Sequence, residues 1–199
     1  IISSVIGLLV GGAAGYYGGW VDAVAMRAVD VILSIPGFYL LLALAAVLPT
    51  DISSIARFFL ITVILSFIGW AGMSRVIRGM VMSIRDEDYV VAAEAMGASD
   101  LRIIVKHILP TTATYVIVRA TLSIPRYILM ESGLSFIGLG IQEPDASWGN
   151  MLSAAQSVTK MTSFPWLLIP GVFIFISILC FNLLGDGLRD ALDPKSKNS

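Results

Sequence analysis

Long apolar blocks alternate with shorter polar segments along the whole chain. A helix needs roughly 20 mainly apolar residues to cross the hydrocarbon core of a bilayer. Stretches of about this length recur between polar segments, at about residues 1–17, 31–48, 55–82, 111–137 and 165–184. The pattern predicts an all-α fold, a polytopic membrane helical bundle with about five visible transmembrane helices. We expect one transmembrane domain over residues 1–199.

Glycine and proline mark particular features of these helices. Gly11 and Gly15 have the small-xxx-small spacing that lets membrane helices approach closely. Pro36, near the start of the second helix, and Pro125, which interrupts the fourth, predict kinks. The polar segment 20–30 is expected to lie at the membrane interface. Because the chain begins inside an apolar block with no basic segment before it, we expect a preceding N-terminal part that contains a sixth helix.

The distribution of basic residues predicts the orientation of the chain. Cytoplasmic segments of membrane proteins carry an excess of lysine and arginine. Segment 74–107 holds five of these residues and the C-terminal tail three, whereas segment 138–164 holds one. They are Arg75, Arg78, Arg85, Arg102 and Lys106, then Arg189, Lys195 and Lys197, and finally Lys160. We therefore expect loop 83–110 and the tail in the cytoplasm and loop 138–164 outside.

Composition agrees with a membrane protein and narrows the candidate chemistry. The chain is 57% hydrophobic and 14% charged, whereas soluble domains carry about 25% charged residues. Its net charge of −1 argues against a strongly basic nucleic-acid binder. A single histidine, His107, and a single cysteine, Cys180, leave no ligand cluster for a metal and no intrachain disulfide. The glycine-lysine motif of a nucleotide-binding loop is also missing, so we expect no catalytic site and no cofactor bound by this chain.

The predicted cytoplasmic block is the most informative segment. Residues 85–110 are interpreted as two short helices joined at Gly97, where a left-handed backbone conformation is expected. In the second helix, a spacing of i, i+3, i+4 and i+7 predicts one apolar stripe, and Pro110 is expected to end the block before the next span. The stripe consists of Leu101, Ile104, Val105 and Ile108.

The first of these helices has the features of a docking surface. Tyr89 and Met96 are seven residues apart and share a face, while Ala92 and Ala93 would let a partner approach the backbone. The alternative is an ordinary amphipathic connector at the membrane interface.

Charged residues in the fourth predicted span are costly in lipid unless they are solvated or paired. Arg119 and Arg126 are seven residues apart and share a helical face, and Glu131 follows. They are candidates for a water-filled translocation path. The alternatives are contacts with a partner subunit or snorkelling to an interface.

The external segment 138–164 has Trp148, Phe164 and the adjacent Trp166 at interfacial depth. Residues 151–160 could form a short helix on the outer surface. Such a helix could meet a binding protein or gate the outer mouth, and the alternative is a packed connector.

The predicted cytoplasmic block resembles the EAA loop of ABC importer permeases, whose pattern is E-A-A-x3-G-x9-I-x-L-P. Ala92, Ala93, Gly97, Leu109 and Pro110 match in register, whereas Val91 replaces the usual glutamate and His107 the usual isoleucine. An ion pair from position 91 is therefore not expected, and whether Glu94 substitutes for that glutamate is left open.

Three further motifs resemble the second permease of dipeptide and oligopeptide importers. They are AGYYGGWVD at 14–22, ESGLSFIGLGIQEPDASWGNML at 131–152 and FNLLGDGLRDALDPK at 181–195. Together with the loop they extend from near the start of the chain to near its end, so the resemblance covers essentially the whole chain.

The resemblance implies a function and a set of partners. Such a subunit forms half of a translocation path for di- or oligopeptides in the bacterial cytoplasmic membrane. Its partners are the lipid bilayer, a homologous permease, an extracytoplasmic substrate-binding protein and two cytoplasmic ATPase subunits that bind ATP and Mg. Residues 89–97 would form the coupling helix that docks on an ATPase, with Tyr89, Ala92, Ala93, Glu94, Met96 and Gly97 at the contact.

Other functions remain open from the sequence. A permease for nickel or another small solute would share these features, because selectivity in this family resides largely in the binding protein. An ATP-independent channel or secondary transporter is an alternative of a different class. Transport that requires ATPase partners would distinguish the importer from it.

Overall fold

The computed structural model describes residues 1–49 and 51–192. Within these ranges the chain forms ten α-helices joined by turns and by short 3-10 and π segments. The α-helices are α1 Ile2–Tyr17, α2 Gly19–Ser34, α3 Gly37–Ala46, α4 Ser54–Arg85, α5 Asp88–Ala95, α6 Asp100–Ile103, α7 Leu109–Phe136, α8 Trp148–Ser153, α9 Val158–Ser163 and α10 Ile169–Leu192. The all-α prediction is confirmed. Lys195 and Lys197, used above for orientation, lie outside the described residues.

The number of helices long enough to span a membrane differs from the predicted five. In the described ranges three helical segments are long and apolar enough to cross a membrane, namely Ser54–Arg85, Asp100–Phe136 and Pro165–Leu192. There are four if α2 and α3 form one broken span. Helix α1 is apolar, with 16 residues.

The second predicted span, 31–48, is wrong as one continuous helix. Helix α2 already begins at Gly19 and includes the segment predicted to be interfacial, and the chain then bends by 82° into α3. The bend lies at Ile35, which is extended with φ −98° and ψ 127° because it precedes Pro36. The proline ring disfavours a helical conformation in the residue before it, and α2 ends at this point.

The predicted break at Pro110 is also wrong, because the helix continues through it. Residues Ile104–Ile108 form a π turn that leads directly into α7. The hydroxyl of Thr111 donates to the carbonyl of His107 at 2.8 Å. The N–H of Leu109 bonds to the carbonyl of Ile104, five residues earlier. A local π adjustment of this kind lets a membrane helix continue through a proline. Helix α7 likewise runs through the buried Pro125.

The first of two compact units comprises residues 1–35, 67–120 and the described part of 188–199. Here α1 packs tightly on α4 through Gly7, Gly11 and Gly15. A Cβ atom at Gly15 would lie 2.7 Å from the carbonyl oxygen of Arg78, and one at Gly11 would overlap the carbonyl oxygen of Ser74. The close approach predicted from Gly11 and Gly15 is confirmed.

One apolar cluster of this unit joins α4 to the segment that follows it. Its buried members come from α4, α5, α6 and the π turn, so these elements share one apolar core. They are Met73, Ile77, Val81, Ile84, Val90, Ile103 and Ile108.

The second unit comprises residues 36–66 and 121–187. Its buried apolar side chains include Leu41, Ile61, Leu134 and Ile174, which come from four different helices. Most large side chains of α10 are exposed, as expected for a helix that contacts lipid.

Candidate functional site

The predicted helix-glycine-helix is present in the first unit. Helix α5 ends near Gly97, whose φ of 81° lies in the left-handed region that favours glycine. Two backbone bonds close the turn, from Gly97 N–H to the Glu94 carbonyl at 2.8 Å and from Ala98 N–H to the Ala93 carbonyl at 3.0 Å. Helix α5, Gly97 and α6 together are called the helix pair below.

The predicted contact residues of the helix pair form two groups, one buried and one exposed. Ala93 is 6% exposed and, with Val90, lies on the packed side of α5. The other predicted contact residues are exposed, and they are Tyr89, Ala92, Glu94, Met96 and Gly97. The structure therefore leaves five of the six residues accessible to a partner, and the docking role itself stays a prediction.

The apolar stripe predicted for the second helix is wrong. Leu101 is 72% exposed and Val105 is half exposed, whereas Ile103 and Ile108 are buried in the cluster with α4. The stripe assumed 3.6 residues per turn throughout, but the π turn at 104–108 uses i→i+5 bonds and changes the phase of the side chains. As a consequence, large apolar side chains that the pattern would have buried face outward.

Polar contacts of Tyr16 link the helix pair to α1 and α4, and sequence reasoning missed them. The hydroxyl of Tyr16 donates to a carboxylate oxygen of Asp100 at 3.1 Å. The backbone carbonyl of Tyr16 accepts from Nη1 of Arg85 at 2.9 Å. No local pattern joins residues 16, 85 and 100, so only the tertiary structure brings them together.

Ion pairs tie α2 to α4 in the same unit. Arg78 donates through two nitrogens to both carboxylate oxygens of Asp22, and Arg75 pairs with Asp30. From the sequence alone, both arginines indicated only the orientation of the chain. The sequence does contain a hint of these ion pairs, because two aspartates lie in one amphipathic segment and two arginines lie near the end of the next long helix.

The charges of α7 have different surroundings. In the first unit, Arg119 is partly buried. In the second unit, Arg126 is exposed, and Glu131 accepts a hydrogen bond from the hydroxyl of Ser135 at 2.6 Å. The same hydroxyl accepts the N–H of Ile141 at 2.9 Å. Glu131 thus helps to hold the segment after α7, and the translocation-path role of the three charges stays a prediction.

Hydrogen bonds centred on Asn150 organise the segment 138–164. Ser147 and Asn150 form a reciprocal capping box at the start of α8. The side-chain amide of Asn150 donates to the carbonyl of Asp145 at 2.7 Å and to that of Ile141 at 3.3 Å. The helix predicted at 151–160 is instead α8 and α9 with a 3-10 turn between them.

The aromatic residues of this region divide into two groups. Trp148 stacks on Phe173 of α10 with ring centroids 6.3 Å apart, so packing rather than interfacial exposure fixes it. Phe164 and Trp166 are exposed and contact each other edge to face at 5.3 Å, as is typical of residues at a membrane interface.

The single histidine lies beside the helix pair. The ring of His107 is 5.9 Å from the ring of Tyr89, and the side chain is partly buried. This contact joins the π turn to the start of α5.

Long apolar helices with a folded helix pair between two of them are typical of a multi-pass membrane protein. Residues 4–198 match the family model of the binding-protein-dependent transport system inner membrane component. The chain belongs to this family, and it is a multi-pass protein of the bacterial inner membrane. The resemblance found in the sequence is confirmed.

Relatives of known name are similar over the full chain. The chain is 43% identical over 199 residues to the oligopeptide transport system permease protein OppC of Mycobacterium tuberculosis, covering 100% of this chain and 66% of that protein. It is 41% identical over 197 residues to the oligopeptide transport system permease protein OppC of Haemophilus influenzae, covering 98% and 61%. The chain therefore spans just under two thirds of the length of these relatives.

Proposed function

We propose that this chain is a transmembrane subunit of an ATP-driven ABC importer and forms half of a translocation path for di- or oligopeptides. Residues 89–97 couple that path to an ATPase subunit. Family membership and the names of the relatives support this function. Its partners are then a homologous permease, an extracytoplasmic binding protein and two ATPases, which hold ATP and Mg. The chain itself contributes no catalytic site.

The observation that carries the proposal is the folded helix pair with large apolar side chains directed outward. Met96 is 81% exposed and Leu101 is 72% exposed. Burying a side chain of this size stabilises a complex by about 1.5–3 kcal/mol before other costs. A partner groove that covers both residues therefore has a strong driving force for binding.

The packing of the helix pair suits it to transmit movement. Val90 of α5 and Ile103 of α6 share a buried cluster with Ile77 and Val81 of α4. A close-packed core has few voids and low compressibility, so a push on α5 is passed to α4 rather than absorbed. Closure of the ATPases on binding ATP would then shift the membrane helices between two states.

Cysteine crosslinking tests the docking surface. Cys180 is first replaced by serine, and a cysteine is placed at Met96, on the exposed side of α5–Gly97. The assembled transporter is crosslinked in membranes with and without ATP, and the products are identified by mass spectrometry. We expect a Met96→Cys crosslink to a nucleotide-binding subunit whose yield changes with ATP.

Two matched variants control this experiment. Ala93→Cys lies on the packed side of the same helix and should react much less. Val158→Cys is 71% exposed but lies in the predicted external segment, so it should not reach an ATPase. Failure of Met96→Cys to crosslink while the subunits co-purify would exclude this docking surface.

The transport activity is tested separately in proteoliposomes that contain the complete transporter and its binding protein. Uptake of radiolabelled tri-alanine should require ATP. Uptake that continues without ATP would instead support a channel or secondary transporter.

A further inference from the structure

Three elements of the first unit meet at Tyr16, the penultimate residue of α1. Its hydroxyl donates to Asp100, the first residue of α6, and its carbonyl accepts from Arg85, the last residue of α4. One residue of α1 is therefore bonded both to the helix pair and to the long helix that precedes it.

The space around this link is open. A cleft of about 350 Å³ lies between the end of α1 and α5. Its lining includes Tyr16, Arg85, Val91, Glu94 and Asp100. The cleft separates part of α5 from the end of α1. The ring of Tyr16 packs against the cluster that includes Val90 and Ile103, and its hydrogen bond to Asp100 lies beside the gap.

The remaining attachment of the helix pair is apolar. Val90 and Ile103 pack in the cluster with α4. Apolar contacts resist separation but are non-directional, so they restrain the angle of a helix less sharply than a hydrogen bond does. A hydrogen bond fixes distance and angle. The Tyr16 hydroxyl thus supplies a directional restraint between α6 and α1, and α1 is locked on α4 through Gly11 and Gly15.

We propose that Tyr16 is a positioning residue that sets the orientation of the helix pair relative to α1 and thereby determines how tightly ATP hydrolysis is coupled to transport. This inference rests on the proposed function. Loss of the hydroxyl leaves the helix pair folded and docked but less firmly oriented against α1, so that part of each ATPase cycle moves the helix pair without moving α1.

The test compares Tyr16→Phe with Tyr17→Phe in the complete transporter, reconstituted with its binding protein. The first variant removes only the linking hydroxyl and keeps the ring, and the second removes the hydroxyl of the exposed neighbouring residue. The measured quantity is the number of ATP molecules hydrolysed per molecule of radiolabelled tri-alanine imported. Loss of one solvent-exposed hydrogen bond should raise this ratio by about threefold to tenfold in Tyr16→Phe. Tyr17→Phe should keep the wild-type ratio.

Variants at Asp100 provide an independent measurement. Asp100→Asn keeps an acceptor oxygen at the same place and should keep the ratio near wild type. Asp100→Leu should raise it as Tyr16→Phe does. The double variant Tyr16→Phe/Asp100→Leu should be no worse than either single change, because both remove the same bond.

The outcomes separate this inference from the proposed function. A purely structural role would lower ATP hydrolysis and import in proportion, leaving the ratio unchanged, and that result would overturn the inference alone. A ratio equally raised in Tyr17→Phe would overturn it too. Wild-type transporter without ATP-dependent uptake would overturn the proposed function and the inference with it.

Discussion

The contact between α1 and α4 allows a sharp test at Gly11. A Cβ atom at this position would overlap the carbonyl oxygen of Ser74 and would lie 3.0 Å from Cα of the same residue and 3.0 Å from Cβ of Ile77. Two of these three atoms belong to the backbone of α4, which cannot rotate away. Gly11→Ala therefore forces α1 to withdraw from α4.

The expected loss of stability combines two costs with one smaller gain. Overpacking of this kind costs about 1–3 kcal/mol. A withdrawal of about 0.5–1 Å also forfeits a quarter to a half of the dispersion attraction along the contact. The intrinsic helix preference of alanine over glycine offsets about 1 kcal/mol at most. Gly12→Ala has the same intrinsic gain, but its Cβ meets nothing within 4 Å. The difference between the two variants isolates packing and should be about 1–3 kcal/mol.

The assay is thermal unfolding of the detergent-solubilised protein, with both variants in the same micelles. For a protein of this size, 1 kcal/mol lowers the melting temperature by about 2–4 °C. Gly11→Ala should thus melt roughly 2–12 °C below Gly12→Ala. Equal melting temperatures would show that α1 and α4 are not in close contact and would refute the packing described here.

Other predictions concern single contacts. Gly97→Ala should destabilise the helix pair by about 1–3 kcal/mol through backbone strain alone, since a Cβ atom there meets nothing within 4 Å. Gly97→Asn should cost less, because asparagine tolerates the left-handed conformation better. Limited proteolysis of the loop measures both effects, and equal cleavage of the two variants would contradict the left-handed turn. Asp22→Leu should destabilise the protein by about 1–3 kcal/mol because Arg78 is left partly buried without its acceptor, and adding Arg78→Leu should restore part of the loss. If the melting temperature of the double variant falls by the sum of the two single shifts, the ion pair does not contribute to stability. Ser135→Ala should destabilise the protein by about 1–3 kcal/mol because it breaks the hydrogen bonds to Glu131 and Ile141. Ser132→Ala should be nearly neutral, because no partner of that buried hydroxyl occurs among the described residues. Thermal unfolding distinguishes the two variants, and equal shifts in melting temperature would refute the structural role of the Ser135 hydroxyl.

Several features of this protein could be predicted from local patterns. The third apolar block, predicted at 55–82, is α4, and the fourth, predicted at 111–137, is α7. Glycine at position 97 predicted a left-handed turn, because few other residues adopt that conformation without strain. These predictions succeed because the length of an apolar run and the conformational range of glycine depend only on residues close in sequence.

The errors arose where a local pattern was extended over a change in geometry. The stripe in residues 101–108 assumed a regular helix, but the π turn at 104–108 changes the phase of the side chains, so the exposed Leu101 and the buried Ile108 do not share a face. Pro110 was expected to break a helix that instead continues through it. In the second span a kink was expected at Pro36, but the bend of 82° there divides the chain into two helices instead of one span.

The sequence by itself determined that the chain crosses a membrane, where the helix pair lies and which family it resembles, since these follow from apolar run length, turn chemistry and motif spacing. Only the tertiary structure decided that Ala93 faces inward, that Asp22 neutralises Arg78, and that Tyr16 links α1 to Asp100. The physical reason is that each of these contacts joins residues far apart in the chain or depends on which face of a helix is covered. Periodicity along a single helix defines a face but does not identify the element that packs against it.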